Sequence, residues 1–239
     1  MSPKIGIIVQ ARMSSSRLPG KSLMKIGNHP LIWYVVKRLQ LLGLPVIVCT
    51  SVAKSDDDLA HFLNCENIPV YRGDLNNVLK RYINAAQFYG ISRIIRITGD
   101  NPLVDIDYLF SSLKLFEKYS YVDGIYKGGL IKGSGFELVS LEELKGITSI
   151  ENYYLEHVTA WLRDHLDESI TRFELNPNQI NRFRNDIYLT CDYREDLILL
   201  RLIFKNFSYR VDISIKEILH FFNENPALKE LNSFRHNHN

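Results

Sequence analysis

With 239 residues, 46% of them hydrophobic, the chain can build one sizeable α/β core with an added arm, but not two full enzyme domains. Lys and Arg number 29 against 27 Asp and Glu, a net charge of +2, so no sequence-independent attraction to nucleic acid is implied. Three cysteines, Cys49, Cys65 and Cys191, lack C-x-x-C spacing and are odd in number, which argues against a disulfide framework or structural zinc and fits a reducing cytoplasm.

The first apolar run, Ile5 to Val9, is too short for a signal-peptide core and is followed by Arg12, so it reads as a strand buried on both faces. No run approaches the roughly 18 apolar residues of a membrane span. A polar loop occupies Gln10 to Lys25. Leu31 to Leu42 carries Ile32, Val35, Val36 and Leu39 at helical spacing, and Gly43 and Pro45 end that helix before a strand at Val46 to Val48. Ser55 is an N-cap candidate ahead of Asp56, Asp57 and Asp58, which read as a cap at the positive end of a helix.

A strand at Val70-Tyr71, a helix from Asn77 to Tyr89 and a strand from Arg93 to Thr98 continue the alternation. The expected fold is therefore a three-layer α/β/α domain with a mostly parallel, doubly wound sheet. A helix follows from about Asp105 to Tyr119. Periodicity is then lost through Gly124, Gly128, Gly129, Gly133 and Gly135, which reads as a mobile loop or a dimer arm. Order returns with a helix from Ile150 to Leu166, strands at Ile170 to Glu174 and Ile187 to Cys191, and a helix from Arg194 to Phe207. Residues 124–170 form the expected arm and acceptor region, and 230–239 a flexible, solvated tail.

The loop after the first strand, Gln10 to Ser22, holds Arg12, Arg17 and Lys21, four serines and Gly20. At the carboxyl end of a strand in an open α/β sheet, such a loop offers backbone N–H groups, hydroxyls and fixed cations to a polyanion. A solvated basic loop is the competing account. Gly20-Lys21-Ser22 is not a P-loop, because Ser15 stands where that motif needs glycine. No G-x-G-x-x-G follows a strand, which counts against a dinucleotide-dependent oxidoreductase.

Asp100 follows the strand ending at Thr98, and Asp192 follows the strand expected to end at Cys191. Two strand-end carboxylates supply the ligand set Mg²⁺ prefers, one or two carboxylates plus water and phosphate oxygens. Equally, Asp100 caps a turn before Pro102 and Asp192 caps the next helix.

The pattern Ala11-Arg12-x-x-Ser15-x-Arg17-Leu18-Pro19-Gly20-Lys21 resembles the nucleotide loop of the sugar-acid cytidylyltransferases. The subgroup named for spore-coat polysaccharide biosynthesis protein F is nearest in appearance, with CMP-Kdo and CMP-sialic acid synthetases as relatives. The resemblance implies that Arg12 and Lys21 contact a triphosphate, CTP or another nucleoside triphosphate, together with Ala11, Ser15 and Arg17. It also implies that Gly99 to Leu103 and Asp192 to Asp196 are the two metal-aspartate motifs. By the same resemblance Arg72, in Arg72-Gly73-Asp74, approaches the nucleotide or acceptor, Glu137 lies near the acceptor, and His157 and Arg163 face its anion. A plain turn at Arg72 and a structural histidine at 157 remain open.

One departure is that Thr98 stands where the Kdo-specific enzymes carry Gln. The implied protein is a cytoplasmic, dimeric, Mg²⁺-dependent nucleotidyltransferase that joins CMP to a sugar acid or similar small anion. Rival expectations are transfer to a sugar 1-phosphate or phosphonate, and a nucleotide-binding protein without chemistry.

Overall fold

The computed structural model describes residues 4–123, 130–165 and 184–236. Seven elements alternate first: β1 (Ile5–Gln10), α1 (Leu31–Gln40), β2 (Val46–Ser51), α2 (Asp57–Cys65), β3 (Val70–Gly73), α3 (Val78–Phe88) and β4 (Arg93–Thr98). Then come α4 (Ile106–Ser112), β5 (Tyr121–Asp123), β6 (Glu137–Ser140), α5 (Leu141–Gly146), α6 (Asn152–Glu156) and α7 (Ala160–His165). Three more helices, α8 (Arg194–Asn206), α9 (Ile215–Glu224) and α10 (Glu230–His236), complete the described chain.

Lys25–Ile26 pairs with His29–Pro30 in a separate two-stranded sheet, and the six strands of the main sheet lie in the order β3-β2-β1-β4-β6-β5. The first four are parallel, whereas β6 runs antiparallel to both β4 and β5. Because side chains alternate across a strand, Ile7 and Val9 face a core built with α1, α2 and α4, while Ile8 faces one built with α3 and α5. All three side chains are fully buried, as expected for a central parallel strand. The expected three-layer α/β fold is the fold observed. A third core, beneath α8 and α9, joins Ile26, Leu31 and Tyr34 to Ile187, Leu189 and Cys191.

Strand order reverses between β1 and β4, the place where open α/β sheets bind ligands. Their register pairs Gln10 with Thr98, so both chains leave the sheet side by side. Gly99 N donates to the Gln10 carbonyl at 2.7 Å, and a Cβ on Gly99 would sit 2.9 Å from that oxygen and from the Ala11 Cβ. Glycine is what lets these two exits touch.

Several expected elements take another form. The helix expected over 150–166 breaks into α6 and α7, because Val158 and Thr159 are drawn fully inside and the Thr159 hydroxyl donates to Glu137 at 2.7 Å. Residues 187–191 are not a strand of the sheet; they make one parallel bridge, Lys132 to Tyr188, and Cys191 N donates to the Asp100 carbonyl at 2.9 Å. The helix after Asp105 is α-helical only to Ser112 and continues as a tighter turn over Leu113–Glu117. Ser55 does not cap α2; it lies inside a short turn, Lys54–Asp56, whose last residue is buried. The strand expected at 170–174 lies outside the described residues.

The tail is not solvated through its length, since α10 buries Asn232 and His236. Nor is the second half of the glycine-rich interval a mobile loop. Ile131, Ser134 and Phe136 are each 1% exposed, and Gly133 is pressed against the 187–191 segment. At a φ of +95°, a Cβ on Gly133 would lie 2.2 Å from Thr190 N, so backbone strain and collision act together. Gly133→Ala is expected to cost at least about 1–3 kcal/mol of stability, read as a lower urea midpoint. An unchanged midpoint would show that this packing is wrongly described.

Candidate active site

The loop after β1 is tied down by a residue the sequence reading took for a helix cap. Asp56 is fully buried and its carboxylate accepts from Met13 N at 2.8 Å, Thr50 Oγ1 at 3.0 Å, and Ser51 N and Oγ at 3.0 and 2.5 Å. Burial alone would raise its pKa, but the Ser51, Met13 and Thr50 bonds outweigh that and hold it low. The carboxylate thus fastens the loop to the end of β2. Gly20 N donates to the Met13 carbonyl at 2.8 Å and the Ser22 hydroxyl to the Arg12 carbonyl at 3.2 Å, closing the loop on itself.

That closure sends Lys21 inward. Its Nζ lies 2.7 Å from Asp100 Oδ2 and 3.0 Å from Asp192 Oδ1, with only 11% of its side chain exposed. Arg17 adds a second cation, 2.7 Å from Asp192 Oδ1. Burial lowers the Lys21 pKa, yet the charges of Asp100 and Asp192 more than reverse this and raise it. The Asp192 carboxyl moves the opposite way: burial raises its pKa, and Lys21 and Arg17 bring it below the ordinary range. Among the described residues no group of three or more His, Cys, Asp and Glu gathers as a metal site; Asp100 and Asp192 are a pair joined through Lys21.

Asp192 is not presented by a strand end, as the sequence suggested, but by the start of α8. Asp196 accepts from the Asp192 and Tyr193 backbone N–H groups, both at 2.8 Å, as a capping carboxylate should. Its other oxygen meets Asn232 Nδ2 at 2.8 Å and His236 Nε2 at 2.9 Å. The terminal helix therefore anchors the loop that carries Asp192. No periodicity in 230–239 signals this.

One cleft is lined by Ala11, Arg12, Ser15, Arg17, Lys21, Asp100, His157 and Asp192, which unites eight of the residues singled out in the sequence. Arg12 pairs with Glu156 across it at 2.7 Å. His157 stays more readily neutral than usual, chiefly because it is partly buried, with Arg96, Arg163 and Arg12 adding to the effect and Glu156 opposing it. Three expected site residues do not line the cleft. Arg72 instead donates to the Ser51 and Ala53 carbonyls at 2.9 and 3.1 Å and pairs with Asp57 at 2.6 Å. Glu137 is fully buried, accepting from Tyr121 at 2.8 Å, Thr159 at 2.7 Å and Arg163 at 2.9 Å, and pairing with Arg96. Arg163 is turned onto that carboxylate rather than toward an acceptor.

Arg96, Arg81, Gln10 and Glu156 also line the cleft and were missed. For Arg96 the signal was available: a charged residue between Ile95 and Ile97 in a strand otherwise buried on both faces. Its guanidinium spans Glu137 behind the cleft and Gln10 Oε1, 3.1 Å away.

A doubly wound sheet with a cationic loop and two carboxylates at its switch point defines a nucleotide-binding α/β protein. Solved structures agree with this class. A cytidylyltransferase from Leptospira borgpetersenii superposes with a TM-score of 0.86 at 26% identity, covering 95% of this chain and 96% of that one. A CMP:2-keto-3-deoxy-manno-octonic acid synthetase in complex with CTP shares the fold, with a TM-score of 0.62 at 17% identity over 85% of this chain and 99% of its own. The cytidylyltransferase family model matches residues 6–237, and the chain belongs to that family. Within it, spore coat polysaccharide biosynthesis protein SpsF of Bacillus subtilis is 32% identical over 92% of this chain and 94% of its own length.

The Glu137 network yields a pH prediction. Burial pushes the carboxyl up, but Arg96, Arg163 and the two hydroxyl donors hold it below its ordinary value of 4.5. A depressed carboxyl contributes stability above the unfolded value and loses it as pH falls through the folded one. Glu137→Gln should cost about 3–5 kcal/mol at neutral pH, since it leaves two arginines without their charge partner. That difference should shrink as pH drops below about 4.5, read from urea midpoints. A difference that stays constant or grows toward acid would contradict the assignment.

Proposed function

We propose that this protein transfers CMP from CTP to a sugar acid or a similar small anionic acceptor, releasing pyrophosphate, as a step in surface-glycan biosynthesis. The observation that carries the reading is the convergence of Lys21, Asp100 and Asp192 at the switch point. The family supports nucleotidyl transfer with cytidine as its nucleoside. The relative SpsF, named for spore coat polysaccharide, supports a glycan role, and the synthetase in complex with CTP supports the nucleotide.

In this reading the loop from Ala11 to Lys21 takes the triphosphate. Ser15, Ser16 and the backbone of the loop offer neutral donors, and Arg12 and Arg17 bring fixed charge. Asp100 and Asp192 fit Mg²⁺, because two carboxylates already share one cation and the remaining ligands would come from phosphate and water. When bound there, the metal would supply charge neutralisation at the phosphates. Lys21, displaced from the carboxylates, would turn its ammonium to the phosphate oxygens.

The acceptor oxygen attacks the α-phosphorus in line, forming one P–O bond as the bond to pyrophosphate breaks. Arg96 and His157, which line the same cleft, suit the acceptor's anion. Glu137 and Arg163 act behind them as positioning residues. The three cysteines, none of them paired, support a reducing cytoplasmic setting, and the exposed Ile150 and Tyr153 within the expected arm region support a two-fold dimer.

The test is pyrophosphate release with CTP and Mg²⁺ against a panel of sugar acids, sugar 1-phosphates and phosphonates. Release with a sugar acid is expected. Asp100→Asn and Asp192→Asn should each lower kcat by about a hundredfold or more while the melting temperature changes little. Arg12→Ala should weaken CTP binding by about ten- to a hundredfold in calorimetry, the scale of a charged hydrogen bond. Full turnover in either aspartate variant would overturn the reading.

A further inference from the structure

The cleft is lined from several elements: Arg96 belongs to β4, and Val78 and Arg81 come from the first turns of α3, which packs against β3. Arg81 lies over the end of β3. Its Nη1 donates to the Asp74 carbonyl at 2.9 Å, and a Cβ on Gly73 would sit 3.0 Å from its Cγ.

Arg81 is only 2% exposed, and taking a guanidinium out of water is costly unless it is paired. Among the described residues it makes no ion pair with a carboxylate, and its Nε is buried without a hydrogen-bond partner. Burial lowers its pKa, with Cys49 among the groups opposing the shift. Every other cation of the cleft has a carboxylate within salt-bridge distance: Arg12 has Glu156, Arg17 and Lys21 have Asp192, and Arg96 has Glu137. Arg81 is thus a buried donor group with unspent capacity. Two other residues of the cleft lining, Ala11 and Val78, are apolar and 7% and 2% exposed.

We propose that Arg81 is the specificity-determining residue for the nucleobase, donating to the adjacent O2 and N3 acceptors of cytosine while Ala11 and Val78 flank the ring. The inference rests on the reading of the cleft as a CTP site. A guanidinium can only donate. Cytosine offers it two neighbouring acceptors, whereas uracil places an N–H at N3 and guanine turns donors to the same edge. A phosphate would be equally welcome to the charge, but Lys21 and Arg17 are the cations held at the two aspartates, whereas Arg81 lies over the end of β3 and shares the cleft lining with the apolar Ala11 and Val78.

The experiment is calorimetric binding of CTP, UTP and inorganic tripolyphosphate, without acceptor, to the wild-type protein, Arg81→Met and Arg81→Lys. The wild type should bind CTP about tenfold or more tighter than UTP, the discrimination a forked guanidinium contact supplies. Arg81→Met should lose about ten- to a hundredfold in CTP affinity and keep tripolyphosphate within about threefold. If the Met variant does not fold, the Lys variant carries the test, because it keeps the charge and loses the fork; its ratio of CTP to UTP affinity should fall toward one.

Equal losses for CTP and tripolyphosphate would make Arg81 a phosphate contact and overturn the inference. So would an unchanged CTP-to-UTP ratio in a folded variant. A wild type that binds tripolyphosphate but does not discriminate CTP from UTP removes the base assignment and leaves the phosphate site standing. One that binds none of the three removes both.

Discussion

Two carboxylates a few ångströms apart repel each other unless a cation stands between them, and here the cation is the protein's own Lys21. The opposing pKa directions of Lys21 and Asp192 are two views of that one contact. Its members come from positions 21, 100 and 192, so nothing local brings them together. The β1–β4 register places the loop exit beside Gly99 and Asp100. Asp56 fixes how the loop leaves β1, and Asp196 fixes how α8 begins. Each support is a buried carboxylate with several donors, which locks geometry through directional bonds instead of through bulk packing.

Glu137 serves the opposite side of the cleft in a similar way. A buried ion pair seldom adds net stability, because desolvation offsets the attraction. Its use here is positional: Arg96 is held by Glu137 at one end and Gln10 at the other, while Thr159 and Arg163 bring α7 to the same carboxylate. The Thr159 contact also explains why one expected helix became two. The placing of Arg96 in the cleft and the local chain geometry therefore share a single buried charge.

The parallel half of the sheet was legible in the sequence because β1 is a continuous apolar run and β4 an isoleucine-rich one broken only by Arg96, with segments of clear helical periodicity alternating with the strands. The cationic loop and Asp100 were legible too, since their residue types are unusual after a strand, whereas Asp192 was singled out for a strand end that it does not follow. What the pattern did not disclose depended on long-range polar partners. Asp56 looks like a capping residue until Met13 and Ser51 are seen to donate to it. Residues 187–191 have strand composition, yet they lie against Lys132 and Asp100 outside the sheet. The terminal segment is polar, and its helix is pinned by Asp196 rather than by an apolar stripe alone. Arg72, Glu137 and Arg163 carry suitable chemistry for a site, but their charges are satisfied behind it.

A crystal structure with Mg²⁺ and a non-hydrolysable CTP analogue tests the central claim most directly, because Lys21 cannot hold two aspartates and a triphosphate in the same position. The account predicts that Lys21 Nζ leaves both carboxylates for phosphate oxygens, while Asp100 and Asp192 face one metal directly or through water. If Lys21 remained between the two aspartates with the nucleotide bound elsewhere on the molecule, the account would be contradicted.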